Sequence, residues 1–451
     1  MRATAMDKNT NQLHLFKEIS GKKVHVDFNG GELSSDSGII LIREFIEKLD
    51  IVDKIAKLLP DHRNPFYIQH TTKELLTQRV LQIIAGYEDS NDCNSLRNDP
   101  AFKIGCNKTS ETDDALASQP TMCRFEHRID ARTLIRLARL QVEFFTNSYD
   151  TPPDGIILDF DDTEDRTYGG QQLNLFNAYY GSTCYQPMHI YEGNSGKLIA
   201  TILRPGKRPT GREIAKMIRR VVRIIRKAWP HVEILIRGDS HYRGPGVYNI
   251  CRELNLHHTL GLTANKTLKK MVESLVKEAE KRFAADPKPF KMYRDFEYQA
   301  DSWSEPERVV AKIEYTEKLK LNIRFVTTSF EEASCKFVYE TAYCGRGQAE
   351  LYIKEHKRQL RSDRTSSHLF MVNQFRLVFF NLAYMLLHHF RDRHLKNTCF
   401  ATADFNTIRL KIIKIAGQIK ELSTRIKIQL CSSYPYQREF RKIYETLTGF
   451  A

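Results

Sequence analysis

The sequence predicts an α/β protein whose strand-bearing core is flanked by mostly helical N- and C-terminal regions. Three observations predict it. Up to about residue 150, apolar residues recur mainly at helical intervals. From Gly155 the texture changes to short apolar and alternating runs, read as strand segments, helix, strand, helix, strand. Beyond residue 395 the pattern turns basic and helical. With 451 residues and 41% hydrophobic content, the chain can bury a substantial core, and its length suggests two or three domains.

Residues 1 to about 25 are polar and are expected to fray, after which 24–28 alternates as a short strand before the turn at Asn29-Gly30-Gly31. Ser34, Ser35 and Asp36 are placed to cap a helix whose packed face is Ile39, Ile40, Ile42, Phe45, Ile46 and Leu49. Further helices are predicted over 72–86 and 132–147. Between them Ser118 and Pro120 open a short helix with Gln119, Thr121, Arg124 and Arg128 available to a DNA groove; an ordinary surface helix has the same pattern.

Core strands are predicted at 156–160, 177–180, 186–191 and 198–203, then a helix at 211–228, a strand at 232–236, a helix at 245–254 and a strand at 258–262. A Lys- and Glu-rich helix and alternating segments at 290–298, 309–315 and 323–328 read as a β-rich insertion. The helix through 343–357 returns to the core, 370–394 reads as a buried helix, and 407–443 reads as basic helix. The expected regions are therefore 1–150, 151–265, 266–340, 341–395 and 396–451.

Sixty-nine Lys and Arg against 55 Asp and Glu leave a net charge of +14, which points to a polyanionic partner, most simply nucleic acid. A ribosomal or membrane surface fits the same charge. The nine cysteines are scattered without zinc spacing, so reduced thiols are expected. The first 20 residues lack the long apolar run of a secretion signal, so a cytoplasmic location is expected. The most apolar run, 377–387, is interrupted by Asn381 and is too short to span a bilayer.

Strand alternation puts Asp159 and Asp161 on one face, with Leu158 and Phe160 on the other. Two acids at the end of an apolar strand need a cation, and a divalent metal ion is the usual one. Asp239 follows the second apolar strand, and Glu350 adds a third carboxylate on a separate element. Such a set can hold two ions that activate water or a 3′-hydroxyl and steady the leaving oxygen. The predicted helix at 211–228 carries Arg212, Lys216, Arg219, Arg220, Arg223, Arg226 and Lys227 opposite Ile214, Ile218 and Ile225. That stripe suits a phosphate track or a solvated face.

Tyr343, Arg346, Glu350 and Lys357 fall at i, i+3, i+7 and i+14, within a sector of about 60° on a helix. Gly345 and Gly347 put Tyr343 on the lead-in and start the helix near Arg346, with Ala349, Ile353 and Leu360 packing inward. A solvated stripe with an Arg346 to Glu350 pair has the same spacing.

This Tyr-x2-Arg-x3-Glu-x6-Lys run resembles the signature of bacterial insertion-sequence transposases of the DDE type. The stretches 33–38, 86–89 with 96–100, and 118–126 resemble the N-terminal half of the insertion-sequence family numbered thirteen-eighty, in DDE domain group 1. The resemblance implies an RNase H-like core and two Mg²⁺ (or Mn²⁺) ions held by Asp161, Asp239 and Glu350. Asp161 with Thr163 matches the family's Asp-x-Thr, which leaves Asp159 as an additional carboxylate, either supporting or the true first ligand. Tyr343, Arg346 and Lys357 are then expected on DNA, with Arg212, Lys216, Arg219, Arg223 and Arg124 as further contacts. The implied partner is double-stranded DNA, both element ends and target, bound by a homodimer in the bacterial nucleoid.

Asp159-Phe160-Asp161-Asp162-Thr163 also resembles the haloacid-dehalogenase phosphohydrolase signature, with Asp159 as nucleophile and Asp161 as acid/base. That family expects a further acid after Gly238-Asp239, where this chain has Ser240, His241, Tyr242 and Arg243. A non-catalytic DNA-binding protein is the third reading, and it leaves the acids without a role.

Overall fold

The structure is a computed structural model that describes residues 13–449, apart from 27, 111, 112, 317 and 319. Its centre is an eight-stranded mixed sheet. In chain order the sheet contains β1 (Gly155–Asp162), β2 (Met188–Glu192) and β3 (Leu198–Ile202), then helix α1 (Gly211–Ala228) and β4 (Glu233–Gly238). Helix α2 (Pro245–Glu253) and β5 (His257–Leu262) follow, then β6 (Phe290–Tyr298), β7 (Glu307–Tyr315) and β8 (Leu321–Thr328). The spatial order is β6-β7-β8-β5-β4-β1-β2-β3. Strands β1, β4 and β5 are parallel neighbours, while β1-β2-β3 and β5-β8-β7-β6 pair antiparallel.

Alternation on β1 decides the layers. Ile156, Leu158 and Phe160 point to one face and pack with Ile214, Ile218 and Ile225 of α1 and Val247 and Ile250 of α2. Asp159 and Asp161 point to the other. Burying each large apolar side chain contributes roughly 1.5–3 kcal/mol, so this face holds the register against a one-residue slip. The α1 N-terminus carries a full capping box between Thr210 and Glu213.

Helix α4 (Phe370–His394), introduced after α3 (Gly347–Lys354), is long and apolar enough to cross a membrane, but it is mostly buried. Leu382, Leu386 and Phe390 on it share one apolar core with Leu76 and Val80 of Thr72–Ala85, Phe45 of Ile39–Leu49 and Ile443 of Gln437–Thr448. The regions expected at 1–150, 341–395 and 396–451 therefore share a core.

Four local expectations are corrected. Part of the expected frayed start is a hairpin, Leu13–Ile19 with Lys22–Val26; residues 1–12 and Asp27 lie outside the description. Ser34 to Asp36 do not cap the next helix, whose N-cap is Gly38. Instead the buried Asp36 accepts hydrogen bonds from Tyr87 Oη (2.8 Å) and Lys414 Nζ (2.9 Å), joining distant parts of the chain. The segment expected as a strand at 177–180 becomes a turn after Leu175–Asn177, which pairs with Ser182–Tyr185 in a small separate sheet. The expected helix at 407–443 is interrupted by a hairpin, Gly417–Leu422 with Arg425–Leu430. Isoleucines 419, 426 and 428 alternate with polar residues there, a period of two that outweighs helix propensity. The hairpin also pairs with Leu33–Ser34. The strands of the expected β-rich insertion extend the central sheet, since β8 pairs along β5.

Candidate active site

Parallel pairing of β1 and β4 sets Arg237 opposite Asp159 and Gly238 opposite Phe160. Asp161 and Asp239 come next on the two adjacent strands, at their carboxyl ends. Asp161 is largely buried, and its carboxyl is pushed up to about 7, first by burial and further by Asp239 and Asp162, against the pull of Arg346. Asp239 is more open and accepts a hydrogen bond from the His241 backbone N–H at 2.7 Å. His241 Nδ1 lies 3.6 Å from Asp162 Oδ1 and 4.0 Å from Asp239 Oδ2, and the Asp162 carboxylate holds the imidazole above its ordinary value.

Across this edge, residues 337–359 run as one right-handed helical segment. It contains a π turn (Phe337–Tyr343), a 3-10 turn (Cys344–Arg346), α3 and a second π turn (Glu355–Gln359). Ala349 and Ile353 are buried and Glu350 is 68% exposed at its side chain, as the helical spacing predicts. The two cations are not solvated. Arg346 is 20% exposed and donates from Nη1 to Asp161 Oδ2 at 3.0 Å, while its Nη2 lies 3.5 Å from Glu350 Oε1. Its guanidinium stands between two of the three expected ligands. Lys357 turns onto the chain just past β1, donating to Thr163 Oγ1 (3.3 Å) and to the Glu164 carbonyl, with Asp165 Oδ1 3.7 Å away. Tyr343 reaches β5, where a Cβ on Gly261 would come within 2.7 Å of its hydroxyl and 3.0 Å of the Ser240 backbone nitrogen.

Arg237, His241 and Asp165 were missed by sequence reasoning. Arg237 had a signal, a cation inside an apolar strand two residues before Asp239. Its guanidinium grips both oxygens of Asp159, Nη2 to Oδ2 at 2.7 Å and Nε to Oδ1, and Nη1 donates to the Ala342 carbonyl at 3.1 Å. A Cβ on Gly345 would meet Arg237 Nη1 at 2.6 Å, so the glycine admits this contact and lets the helix dock. Asp159 is fully buried. Each of its oxygens accepts a hydrogen bond from Arg237, so the pair ties strand β1 to β4 and, through Ala342, to the helical segment. Asp165 is buried too, and burial pushes its carboxyl up to about 8 although Lys357 pulls it down.

The stripe on α1 is exposed at Arg212, Lys216, Arg220, Arg223 and Lys227, whereas Arg219 is paired with Glu253 and Arg226 donates to the carbonyls of Leu254 and Asn255. The start of α1 lies on the carboxylate edge, where Arg208 donates to the Ser240 carbonyl at 2.7 Å. Arg124 is exposed on Gln119–Glu126, far in sequence from the acids. Ser118 occupies the N-cap there without a side-chain cap bond, and Arg128 is engaged by Asp61 at 3.3 Å.

Residues 16–450 match the family model described as transposase DDE domain group 1. The chain belongs to this family. Membership in the DDE transposases carries a transposase function and a dependence on divalent metal ions in general terms. It sets aside the phosphohydrolase reading. Among solved structures, the cryo-EM piggyBac transposase synaptic complex with hairpin DNA is similar at 12% identity, covering 83% of this chain and 80% of that one, with a TM-score of 0.40. No curated protein matches the sequence.

Burial first, and then Asp239 and Asp162, pushes the Asp161 carboxyl up, and Asp162 Oδ2 is buried without a hydrogen-bond partner, an arrangement a cation would relieve. Among the described residues no three acid, histidine or cysteine side chains converge on one point. Asp161 and Asp239 are the carboxylates at this edge that could hold an ion, and Glu350 lies on the segment that crosses it.

Proposed function

We propose that this chain is an insertion-sequence transposase that binds the terminal repeats of its element, cleaves DNA phosphodiesters there and joins the 3′ ends to target DNA. The observation that carries this reading is the delivery of Asp161 and Asp239 by adjacent parallel strands, with the Glu350 helix laid across their ends. The sheet order β3-β2-β1-β4-β5, antiparallel then parallel, is the order an RNase H-like core requires and supports that assignment.

In this reading Asp161, Asp239 and Glu350 would hold two divalent ions, Mg²⁺ or Mn²⁺, and these would supply activation of a water or 3′-hydroxyl and neutralisation of the leaving oxygen. The remaining work belongs to the chain. Arg346 neutralises Asp161 and Glu350 until DNA arrives, and then turns its guanidinium to a backbone phosphate, for which its planar fork is suited. Lys357 keeps the chain after Asp161 in place through Thr163 and Glu164. Arg212, Lys216 and Arg223 lead away from the carboxylate edge as a track for the phosphate backbone, while the region 1–150, with Arg124, supplies end recognition. Two protomers act together, because two ends must be cut in concert, and the setting is the bacterial nucleoid.

The test is Asp239→Asn, which removes one ligating charge and little shape. It should retain gel-shift affinity for end DNA and lose nicking in Mg²⁺. Nicking at the wild-type rate would mean that the site lies elsewhere.

A further inference from the structure

Cα pairing of β1 with β2 ends at Asp162 opposite Met188. The 25 residues between them, 163–187, leave the sheet beside Asp161 and fold back on themselves as a small lobe. Asp165–Arg166, Ser182–Tyr185 and Leu175–Asn177 form its three-stranded sheet. An excursion of this kind has no role in building the central sheet.

The lobe carries large aromatic side chains that face solvent. Tyr168 is 80%, Phe176 67% and Tyr179 87% exposed. Tyr179 stands edge-on to Tyr180, ring centroids 5.0 Å apart. Tyr180 is partly buried against the acids, and its hydroxyl is pushed up to about 12 by burial and then by Asp162 and other neighbours. These aromatics thus lie on a lobe that leaves the sheet directly after Asp161 and Asp162.

The platform is held stiffly. Lys357 pins its base, as described above. The Gln172 N–H donates to the His368 carbonyl at 2.9 Å, Tyr185 Oη donates to the Gln172 carbonyl at 2.6 Å, and Asn177 Nδ2 donates to the Gly206 carbonyl at 3.0 Å. Leu173 sits at φ 62, a left-handed conformation that surrounding contacts must maintain. Beside the lobe, Lys207 and Arg208 are exposed, and Arg208 bridges to the Ser240 loop that follows Asp239. Flat aromatic faces on a fixed backbone, with cations alongside and phosphodiester chemistry at the base, match the face and backbone of an unpaired nucleotide.

We propose that Phe176, Tyr179 and Tyr168 form a stacking platform for unpaired bases of the DNA strand entering the Asp161–Asp239 site. This rests on the transposase reading and adds the form of DNA the site prefers, a locally opened end. Stacking is tolerant of sequence, so the platform favours opened over paired DNA without reading bases.

Two DNA probes of one sequence test this, a fully paired duplex and the same duplex with a short unpaired end containing 2-aminopurine. The wild type should bind the opened probe more tightly and quench its fluorescence. The double variant Phe176→Ala/Tyr179→Ala should lose that preference by about tenfold, while its affinity for paired duplex and its salt dependence stay unchanged. Phe176→Trp/Tyr179→Trp should keep both preference and quenching, which a merely structural role would not predict. Equal losses on both probes, or no loss, would overturn the platform. So would an unchanged preference with a change from dimer to monomer, which would assign the patch to a second copy of the chain. A wild type that binds neither probe would overturn the transposase reading itself.

Discussion

Arg237 on β4 grips Asp159 on β1 one pleat before the same two strands deliver Asp239 and Asp161. The pair is buried, and its third bond runs to the Ala342 carbonyl on the segment that carries Glu350. One guanidinium therefore ties together the three elements that carry Asp161, Asp239 and Glu350.

Removing that guanidinium leaves a buried charge uncompensated. Arg237→Met should destabilise the protein by about 3–5 kcal/mol, read from urea denaturation, and should abolish nicking even under conditions where the variant remains folded. Adding Asp159→Asn should restore part of the stability but not the activity, because the helix tether to Ala342 is still missing.

The two aspartates of β1 should separate in kind. Asp161→Asn should remove metal-dependent nicking and leave stability near or above that of the wild type, since a buried carboxyl is replaced by a neutral isostere. Asp159→Asn should reduce nicking less and cost stability. Glu350→Gln, at an exposed position, should remove chemistry and spare DNA binding. Circular dichroism melts alongside a nicking assay check all three.

Lys357 and the α1 cations should differ in salt dependence. The spacing of the Tyr343–Lys357 segment alone suggests that Lys357→Ala would shallow the slope of log K against log salt by about one unit. Because Lys357 is committed to Thr163, Glu164 and Asp165, the slope should instead stay unchanged and the thermal midpoint should fall. Arg212→Ala, Lys216→Ala or Arg223→Ala should each shallow the slope by about one unit, measured by fluorescence anisotropy.

Asp165 sets a pH dependence. Its folded pKa, about 8, lies above the ordinary carboxylate value of 3.8. Between these values the folded chain keeps a proton that the unfolded chain has lost. Its contribution is therefore fully present below about pH 4 and is lost as pH rises through about 8. Asp165→Asn should flatten this fall, seen by comparing urea midpoints at about pH 5 and about pH 8.

Much of this was legible in the sequence. The apolar faces of β1, β4 and α1, the buried character of α4 and the helical placement of Glu350 follow from local periodicity, which depends only on a residue and its near neighbours along the chain. The nearly invariant geometry of a strand end put Asp161 and Asp239 where acids can meet. By contrast, the hairpin at 417–430 was misjudged as helix because short alternating runs in a basic context are ambiguous until a partner strand, here Leu33–Ser34, is supplied.

What only the tertiary structure decided is which charges face each other. Asp159 and Asp161 are indistinguishable by alternation, yet the parallel register of β4 gives one an arginine and leaves the other to the active site. Arg346 and Lys357 share a helical sector with Glu350, but the ends of β1 and its following loop draw both cations inward and leave the glutamate outside. Periodicity tells which way a side chain points. Its charge partner, and hence whether it supports the fold or performs chemistry, depends on a segment that can lie a hundred or more residues away, and that information exists only once the strands have paired.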